Sequence, residues 1–84
     1  MRVGQARKRD ANEAEIVAAL RACGARVDRI SGPGLPDLLV GYKGFWVPLE
    51  IKSATGRLTK RQRLGAPYPI ARSVDEALRA IGIV

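Results

Sequence analysis

The chain has 84 residues, a formal net charge of +7, one cysteine and no histidine. A chain of this length forms one domain with a modest hydrophobic core. With no histidine and a single cysteine, it lacks the ligands of an ordinary zinc site, a Ser-His or Cys-His catalytic pair and an internal disulfide. The positive charge favours a polyanionic partner, and nucleic acid ranks ahead of an anionic membrane surface.

The sequence offers no signal for a membrane or for export. No apolar run is long enough to span a bilayer, and the basic start lacks the apolar stretch of a signal peptide. Nothing in the cysteine content indicates an oxidising compartment. We therefore expect a cytoplasmic protein that has no membrane partner.

Positive charge is concentrated at the start of the chain. Residues 1–9 contain no acidic residue, and their basic residues are Arg2, Arg7, Lys8 and Arg9. This composition is typical of a flexible basic arm. The arm could follow a phosphate backbone or could only aid solubility, and the sequence leaves both roles open. Residues 10–84 are predicted to form a single folded domain.

Residues 10–23 have the pattern of an amphipathic helix. Its apolar residues recur at helical spacing and are Ile16, Val17, Leu20 and Cys23. Two capping boxes fit its start, one formed by Asn12 and Glu15 and the other by Asp10 and Glu13. Glu15 also lies beside the apolar stripe, so it could instead approach a site at the sheet as a third acid. Spacing alone leaves both roles of Glu15 open.

The middle of the chain predicts two paired strands that carry charged residues. A loop rich in glycine and proline leads into the run DLLV, residues 37–40, and a four-residue turn follows. In the second strand, residues 46–52, alternation directs the odd-numbered side chains into the core. Glu50 and Lys52 then share the opposite face, and the hairpin brings Asp37 to the same end as Glu50.

This arrangement of charges suggests a chemistry. Two neighbouring carboxylates repel each other, and a hard divalent cation such as Mg²⁺ relieves the repulsion. A lysine beside them can hold a phosphate oxygen or help to deprotonate a water. Asp37, Glu50 and Lys52 therefore suit metal-assisted hydrolysis of a phosphodiester. The alternative is a solvated Glu50–Lys52 ion pair on an exposed strand face, with Asp37 as a turn residue.

A second basic cluster follows the two strands. It contains no acid, and its members are Arg57, Lys60, Arg61 and Arg63. Thr59 is predicted to be the N-cap of a short helix that begins at Lys60. The cluster could bind the phosphates of a nucleic acid beside the carboxylates. Gln62 could hydrogen-bond a phosphate or a water there, or could be an ordinary surface residue.

The remaining segments complete the predicted order of elements. Residues 25–30 predict a short strand before the hairpin, and residues 69–72 predict one after the basic helix. A last helix is predicted over residues 74–81, with Ser73 and Glu76 as a capping box. The order is therefore α-β-β-β-α-β-α, an α/β fold with a small mixed sheet flanked by helices.

Taken together, these segments resemble the virus-type replication-repair nuclease (VRR-NUC) domain of the PD-(D/E)xK nuclease superfamily, in its small stand-alone phage and prophage form. The resemblance covers residues 11–81, in the segments NEAEIVAALRACGA, GLPDLLVGYKG, PLEIKSATGRLTKRQ and SVDEALRAIG. Residues 63–72 depart from the pattern, because the family usually has a longer helix with aromatic residues there. We expect this shortening to alter the dimer interface and DNA path more than the metal site.

The resemblance implies a restriction-endonuclease-like core and a role for each matching residue. Asp37 and Glu50 would hold Mg²⁺ or Mn²⁺, and the backbone carbonyl of Ile51 would be a further ligand. Lys52 would orient the attacking water or stabilise the pentavalent phosphorus. Glu15 would complete the acidic site, directly or through a water.

Gln62 would then support the site lysine or the water, and the basic residues of the arm and of the short helix would contact DNA. The implied activity is a metal-dependent DNA endonuclease without a small-molecule cofactor, in a bacterial host cell. Small members of the family are similar to Holliday junction resolvases, so we expect a homodimer that prefers branched DNA. The rival interpretation is a non-catalytic basic module that binds nucleic acid without a divalent metal.

Overall fold

A computed structural model describes residues 9–83 of the chain. They form three helices and four strands, whose bounds are α1 Glu13–Ala22, β1 Arg26–Arg29, β2 Leu38–Tyr42, β3 Phe45–Ile51, α2 Lys60–Gly65, β4 Ile70–Ala71 and α3 Val74–Ala80. The predicted mixed α/β class is confirmed. No helix in this part of the chain is long and apolar enough to cross a membrane.

The four strands form one mixed sheet in the order β1-β2-β3-β4. The first three strands pair antiparallel in succession, and β4 pairs parallel with β3. The turn between β2 and β3 has only two residues, Lys43 and Gly44, and both have a positive φ (48° and 86°). Positive φ at both positions gives the turn the twist of the flanking strands. The predicted four-residue turn was too long, because Gly41 and Tyr42 belong to β2.

One face of the sheet packs against α1 and α3. The largest fully buried side chains are Ile16, Leu20, Leu38, Val40, Leu49 and Ile51. Burying each such side chain contributes about 1.5–3 kcal/mol to the stability of the fold. The predicted alternation along β3 is confirmed, since Leu49 and Ile51 lie in this core. Cys23 was wrongly assigned to the apolar stripe, because it caps the end of α1 and is exposed.

Pro48 lies in an inner strand, at a point where that strand has a neighbour on one side only. The N–H groups of Glu50 and Lys52 donate to the β4 segment, each at 3.0 Å. Every second residue of a strand directs its N–H to the same side, so the N–H that Pro48 lacks would point the same way. The two residues of β4 do not extend that far. Pro48 therefore removes no hydrogen bond between strands at this position.

Asn12 connects the start of α1 to the ends of β3 and β4. Its side-chain amide nitrogen donates to the carbonyl oxygens of Lys52 at 3.1 Å and Arg72 at 3.2 Å. Its side chain makes no capping hydrogen bond with the helix. The predicted Asn12–Glu15 capping box is therefore wrong, because the amide is used to join the helix to the sheet.

Replacing Asn12 distinguishes this connecting role from capping. Asn12→Ala should lower the free energy of unfolding by about 2 kcal/mol, because two hydrogen bonds of about 1 kcal/mol each are lost. Asn12→Asp should cost more, because it directs a carboxylate oxygen at two carbonyl oxygens. Urea unfolding followed by circular dichroism measures both changes.

Ser73 provides the matched control for this experiment. Its hydroxyl accepts from the N–H of Glu76 and caps α3, while the Glu76 carboxylate accepts from the N–H of Arg72. Asp and Ser are similar N-caps, so Ser73→Asp should leave the stability nearly unchanged. If Asn12→Asp were tolerated as well as Ser73→Asp, Asn12 would be an ordinary cap.

Candidate functional site

The strand register brings Asp37 and Glu50 together. Leu38 pairs with Leu49 across the hairpin. Asp37, which precedes Leu38, therefore lies next to Glu50, which follows Leu49. Both carboxylates are buried, with exposed fractions of 6% for Asp37 and 8% for Glu50. Ionised carboxylates are seldom buried unless they are paired with hydrogen-bond donors or cations. This end of the sheet therefore concentrates negative charge that needs positive partners.

Asp37 takes part in the backbone pairing at the end of the hairpin. Its Oδ2 atom accepts from the N–H of Ile51 at 2.8 Å. Extending the register by two residues would set Pro36 opposite Ile51, and proline has no N–H to donate. The N–H and C=O of one residue in an antiparallel pair point to the same neighbour. The carbonyl of Ile51 therefore faces the side of Asp37, where Pro36 offers no donor.

The buried acid of α1 is Glu13 and not Glu15. Glu13 is only 2% exposed, and its carboxylate accepts from Nη1 of Arg9 at 3.1 Å and from Nε of Arg29 at 2.9 Å. Glu15 is exposed, because two residues along a helix turn the side chain by about 200°. The placement of Glu15 does not match its predicted role as the third acid.

The sequence contained a signal for Glu13. It lies three residues before Ile16 and four before Val17, the spacing that puts residues on one helical face. A carboxylate in line with an apolar stripe faces the interior and needs a partner there. We read Glu13 only as a capping residue, so this position was missed.

Arg9 links the helix acid to the strand acid. Its Nη1 atom lies 3.6 Å from Oδ1 of Asp37 as well as 3.1 Å from Glu13, so the two carboxylates share one guanidinium. Its Nη2 atom donates to the carbonyl of Ile30 at 3.1 Å. Arg9 was predicted to belong to a DNA-binding arm, but here it pairs with acids of the folded domain. Arg7 and Lys8 lie outside the described residues.

Lys52 and Glu50 form a largely buried pair. The Lys52 Nζ atom lies 3.9 Å from Oε2 of Glu50, and the two side chains are 17% and 11% exposed. A solvated ion pair on an open strand face would be far more exposed, so that alternative does not fit the structure. Both residues also bond to the β4 segment through their N–H groups, which fixes the backbone that carries them.

The basic helix α2 lies outside the core. None of its residues is buried. The predicted DNA contacts are all exposed: Lys60, Arg61 and Arg63 lie on the helix, and Arg57 precedes it. Thr59 is its N-cap, as predicted. A Cβ added to Gly34 would lie 3.2 Å from Nη1 of Arg61. The Arg61 guanidinium therefore lies beside the loop that leads into Asp37.

Gln62 has a structural role at the start of this helix. Its side-chain oxygen accepts from the N–H of Thr59 at 2.9 Å, and its own N–H donates to the Thr59 hydroxyl at 3.1 Å. This is a complete capping box, and the T-x-x-Q spacing was the signal for it. The hydrogen bonds of Gln62 therefore fit capping better than the predicted support of the site lysine.

Arg72 holds the connection between the site strand and the basic helix, a role that no sequence pattern predicts. Its Nη1 atom donates to the carbonyls of Ser53 at 2.7 Å and Gly56 at 2.8 Å. Both acceptors are backbone atoms distant in sequence, so no local spacing could have indicated them. The bonds fix the loop that follows Lys52.

The oxygen atoms at this end of the sheet fit a hard cation that keeps most of its waters. Among residues 9–83, no group of three or more acidic, histidine or cysteine side chains is placed to hold a metal ion. Asp37 and Glu50 supply two carboxylates, and the carbonyl of Ile51 faces the same side. Mg²⁺ is usually held by one or two carboxylates together with waters and substrate phosphates, so this donor set is sufficient for it.

Comparisons of the chain with protein-family models, with curated proteins and with solved structures found no match. The likeness to the VRR-NUC domain therefore depends on the sequence segments quoted above. The geometry around Asp37, Glu50 and Lys52 is the independent basis for assigning a function.

Removing the arginines that surround Glu13 should cost more stability than removing Glu13 itself. In the double variant Arg9→Ala/Arg29→Ala, a buried carboxylate loses both partners, and we expect the free energy of unfolding to fall by about 3 kcal/mol. Glu13→Gln leaves two guanidinium groups whose side chains are 26% and 46% exposed. Water can solvate those groups, so we expect a loss of about 1 kcal/mol. Urea unfolding measures both values.

Two further variants test the same cluster. Adding Glu13→Gln to the double variant should restore part of the lost stability, because it removes the unpaired buried charge. Glu15→Gln is the matched change on the exposed side of α1, and it should alter the free energy of unfolding by less than about 0.5 kcal/mol. Equal losses from Glu13→Gln and Glu15→Gln would contradict the assigned placement of the two acids.

Proposed function

We propose that the protein is a Mg²⁺- or Mn²⁺-dependent DNA endonuclease. The observation that supports this most strongly is the buried pair of neighbouring carboxylates, Asp37 and Glu50, with the Lys52 ammonium 3.9 Å from the second. Two acids and a cation buried together contribute little net stability. Such an arrangement is more typical of a reaction site than of a stabilising ion pair.

Asp37, Glu50 and the carbonyl of Ile51 would hold the metal ion. A bound divalent ion would polarise the phosphate and lower the pKa of a coordinated water. The hydrogen bond from the Ile51 N–H to Oδ2 of Asp37 fixes the orientation of that carboxylate. Burial of both acids also removes competing bulk water, which strengthens their attraction for a cation.

Lys52 would bind a non-bridging oxygen of the scissile phosphate. Its side chain is only 17% exposed, and its ammonium lies 3.9 Å from the Glu50 carboxylate. A phosphate bound at the metal would therefore lie close to this ammonium. The carbonyl of Lys52 accepts from the amide of Asn12, which fixes the backbone at this residue. The lysine would therefore stabilise the additional negative charge that develops as water attacks phosphorus.

Arg9 would moderate the affinity of the site for metal. Its guanidinium lies 3.6 Å from Oδ1 of Asp37, so it already neutralises part of the negative charge that attracts a divalent ion. A cation that binds Asp37 would be repelled by this neighbour. Glu13, which accepts from the same Nη1 atom, would draw Arg9 towards α1 and limit that repulsion.

The exposed cations of α2 would position the DNA backbone. Contacts between cations and phosphates set the register of a protein on DNA and supply much of its affinity. The Arg61 guanidinium lies beside the loop that leads into Asp37, so a bound backbone would pass close to the carboxylates. Gln62 would act indirectly, by fixing the first turn of this helix.

The order of the elements, with the acids at the end of the central hairpin, also supports a PD-(D/E)xK-like core. A homodimer would present two such sites to two DNA strands, and its two-fold symmetry would suit a branched substrate. These finer assignments depend on the family resemblance as well as on the geometry. A cytoplasmic location in a bacterial host belongs to the same proposal.

Cleavage of a synthetic four-way junction and of linear duplex of the same sequence tests the proposal. We expect cutting with Mg²⁺ and with Mn²⁺ and none with EDTA. Asp37→Asn and Glu50→Gln preserve the shape of each side chain but remove a charged metal ligand, so each should reduce the cleavage rate by about 100-fold or more. Glu15→Gln is the control, and its exposed position predicts cleavage close to that of the wild type.

The binding step is measured separately, by anisotropy of labelled DNA in EDTA. Asp37→Asn should retain most of the DNA affinity, whereas replacing Lys60 or Arg61 by Ala should weaken binding and make it less sensitive to salt, by about one unit of the log–log slope for each phosphate contact. A folded wild type that binds these DNAs but cuts none of them would refute the nuclease and support the non-catalytic binding module. The junction-to-duplex ratio of rates decides the preference for branched DNA.

A further inference from the structure

The turn end of the β2–β3 hairpin carries exposed aromatic and basic side chains that the metal site does not use. A shallow pocket of about 300 Å³ lies there, lined by Arg26 of β1, by the hairpin turn and by Trp46. Trp46 is 57% exposed and Phe45 is 74% exposed. Tryptophan is usually largely buried in a folded protein, so this surface suggests a binding partner.

The backbone of Gly41 supports the indole ring of Trp46. The two residues are direct partners across the hairpin. A Cβ added to Gly41 would lie 2.9, 3.1 and 3.2 Å from three successive ring atoms, Cζ3, Cη2 and Cε3. Nearly equal distances to successive atoms place that point above the face of the ring and not beyond its edge. One face of the indole therefore rests on the sheet, and the opposite face is open to solvent.

The pocket beside this ring contains two cations. Arg26 and Lys43 both line the pocket and are exposed, and no acidic residue appears among the lining residues that the structure describes. The Lys43 ammonium lies 5.4 Å from the centre of the Tyr42 ring. Tyr42 pairs with Phe45 and faces away from Trp46, so Lys43 reaches the pocket from the turn. Arg26 forms an ion pair with Asp28 at 3.1 Å. Asp28 does not line the pocket, so the lining itself contains cations and no acid.

A nucleotide matches both features of the pocket. Every nucleobase has a flat face that stacks on an aromatic ring, and its phosphates attract nearby cations. A base inside a duplex is already stacked on both sides, so an unpaired base gains more from the ring. We propose that this end of the hairpin, which we call the stacking site, holds an unpaired base on Trp46 and its neighbouring phosphates on Arg26 and Lys43.

The stacking site lies on the same face of the sheet as the carboxylate end of β3. Trp46 and Glu50 are four residues apart on one strand, so their side chains share a face about 13 Å apart. A stacked nucleic acid strand rises about 3.4 Å per nucleotide, so the distance corresponds to about four nucleotides. The inference rests on the nucleic-acid partner of the proposed function, and it adds a preference for DNA with an unpaired segment beside the cleaved bond.

Trp46 is the only tryptophan in the chain, so its fluorescence reports directly on the stacking site. The titration uses a short single-stranded oligonucleotide and a blunt duplex of the same length, in EDTA, so that no metal chemistry takes part. We expect the single strand to quench Trp46 emission more strongly than the duplex does. The quenching curve should give the same dissociation constant as the anisotropy of the labelled oligonucleotide.

Variants separate stacking from charge and from folding. Trp46→Ala should weaken single-strand binding by about 5- to 150-fold, the range for loss of one stacked base, and Trp46→Phe should retain part of it. Gly41→Ala keeps the tryptophan but forces its ring off the sheet, so quenching should decrease. Leu64→Ala is the control, because Leu64 is 78% exposed on α2 and does not line the pocket.

Three results would overturn the stacking site. The first is single-strand binding without quenching of Trp46, and the second is unchanged affinity in a folded Trp46→Ala variant. The third is a dimer that Trp46→Ala converts to a monomer without changing DNA affinity, which would assign this surface to a second copy of the chain. Failure to bind any DNA would overturn this proposal together with the nuclease, whereas quenching without cleavage would overturn the nuclease alone.

Discussion

Burial of acidic groups at one end of the sheet is the constraint on which the rest of this structure depends. Glu13, Asp37 and Glu50 are each less than a tenth exposed, and buried carboxylates persist only where donors and cations meet them. Arg9 and Arg29 donate to Glu13, and the N–H of Ile51 donates to Asp37. Lys52 forms the ion pair with Glu50. The ends of α1, β2 and β3 are thereby joined at one point.

Much of the fold could be predicted because its determinants are local. Alternation along β3 separated core residues from site residues, and glycine and proline marked the loop before β2. Thr59 and Ser73 were correctly identified as helix caps, since a cap is decided within four residues of sequence. The hairpin placed Asp37 at the same end as Glu50, so the centre of the candidate site was accessible from sequence. The exact pairing was not, because a four-residue turn would set Asp37 opposite Pro48, whereas the two-residue turn sets it opposite Glu50.

The features that were missed depend on how elements rotate and meet. Glu13 and Glu15 both fit capping boxes, and only the packing of α1 on the sheet decides which of them faces inward. Asn12 and Arg72 bind backbone carbonyls that lie between 16 and 60 residues away. Carbonyls occur at every residue, so the sequence carries no mark of which one a side chain will bind. These long-range bonds hold the site in shape without adding any recognisable motif.

The two faces of the sheet differ in what covers them. One face is covered by α1 and α3 and supplies the hydrophobic core. The short α2 buries none of its own residues, so it adds nothing to that core. Trp46 is exposed on the opposite face. A longer helix across this face would stabilise a small domain by burying more apolar area, but it would also cover the strip of β3 between Trp46 and Glu50. The domain therefore does without the stability that such burial would add, and the strip runs from an exposed ring at Trp46 to a buried acid at Glu50.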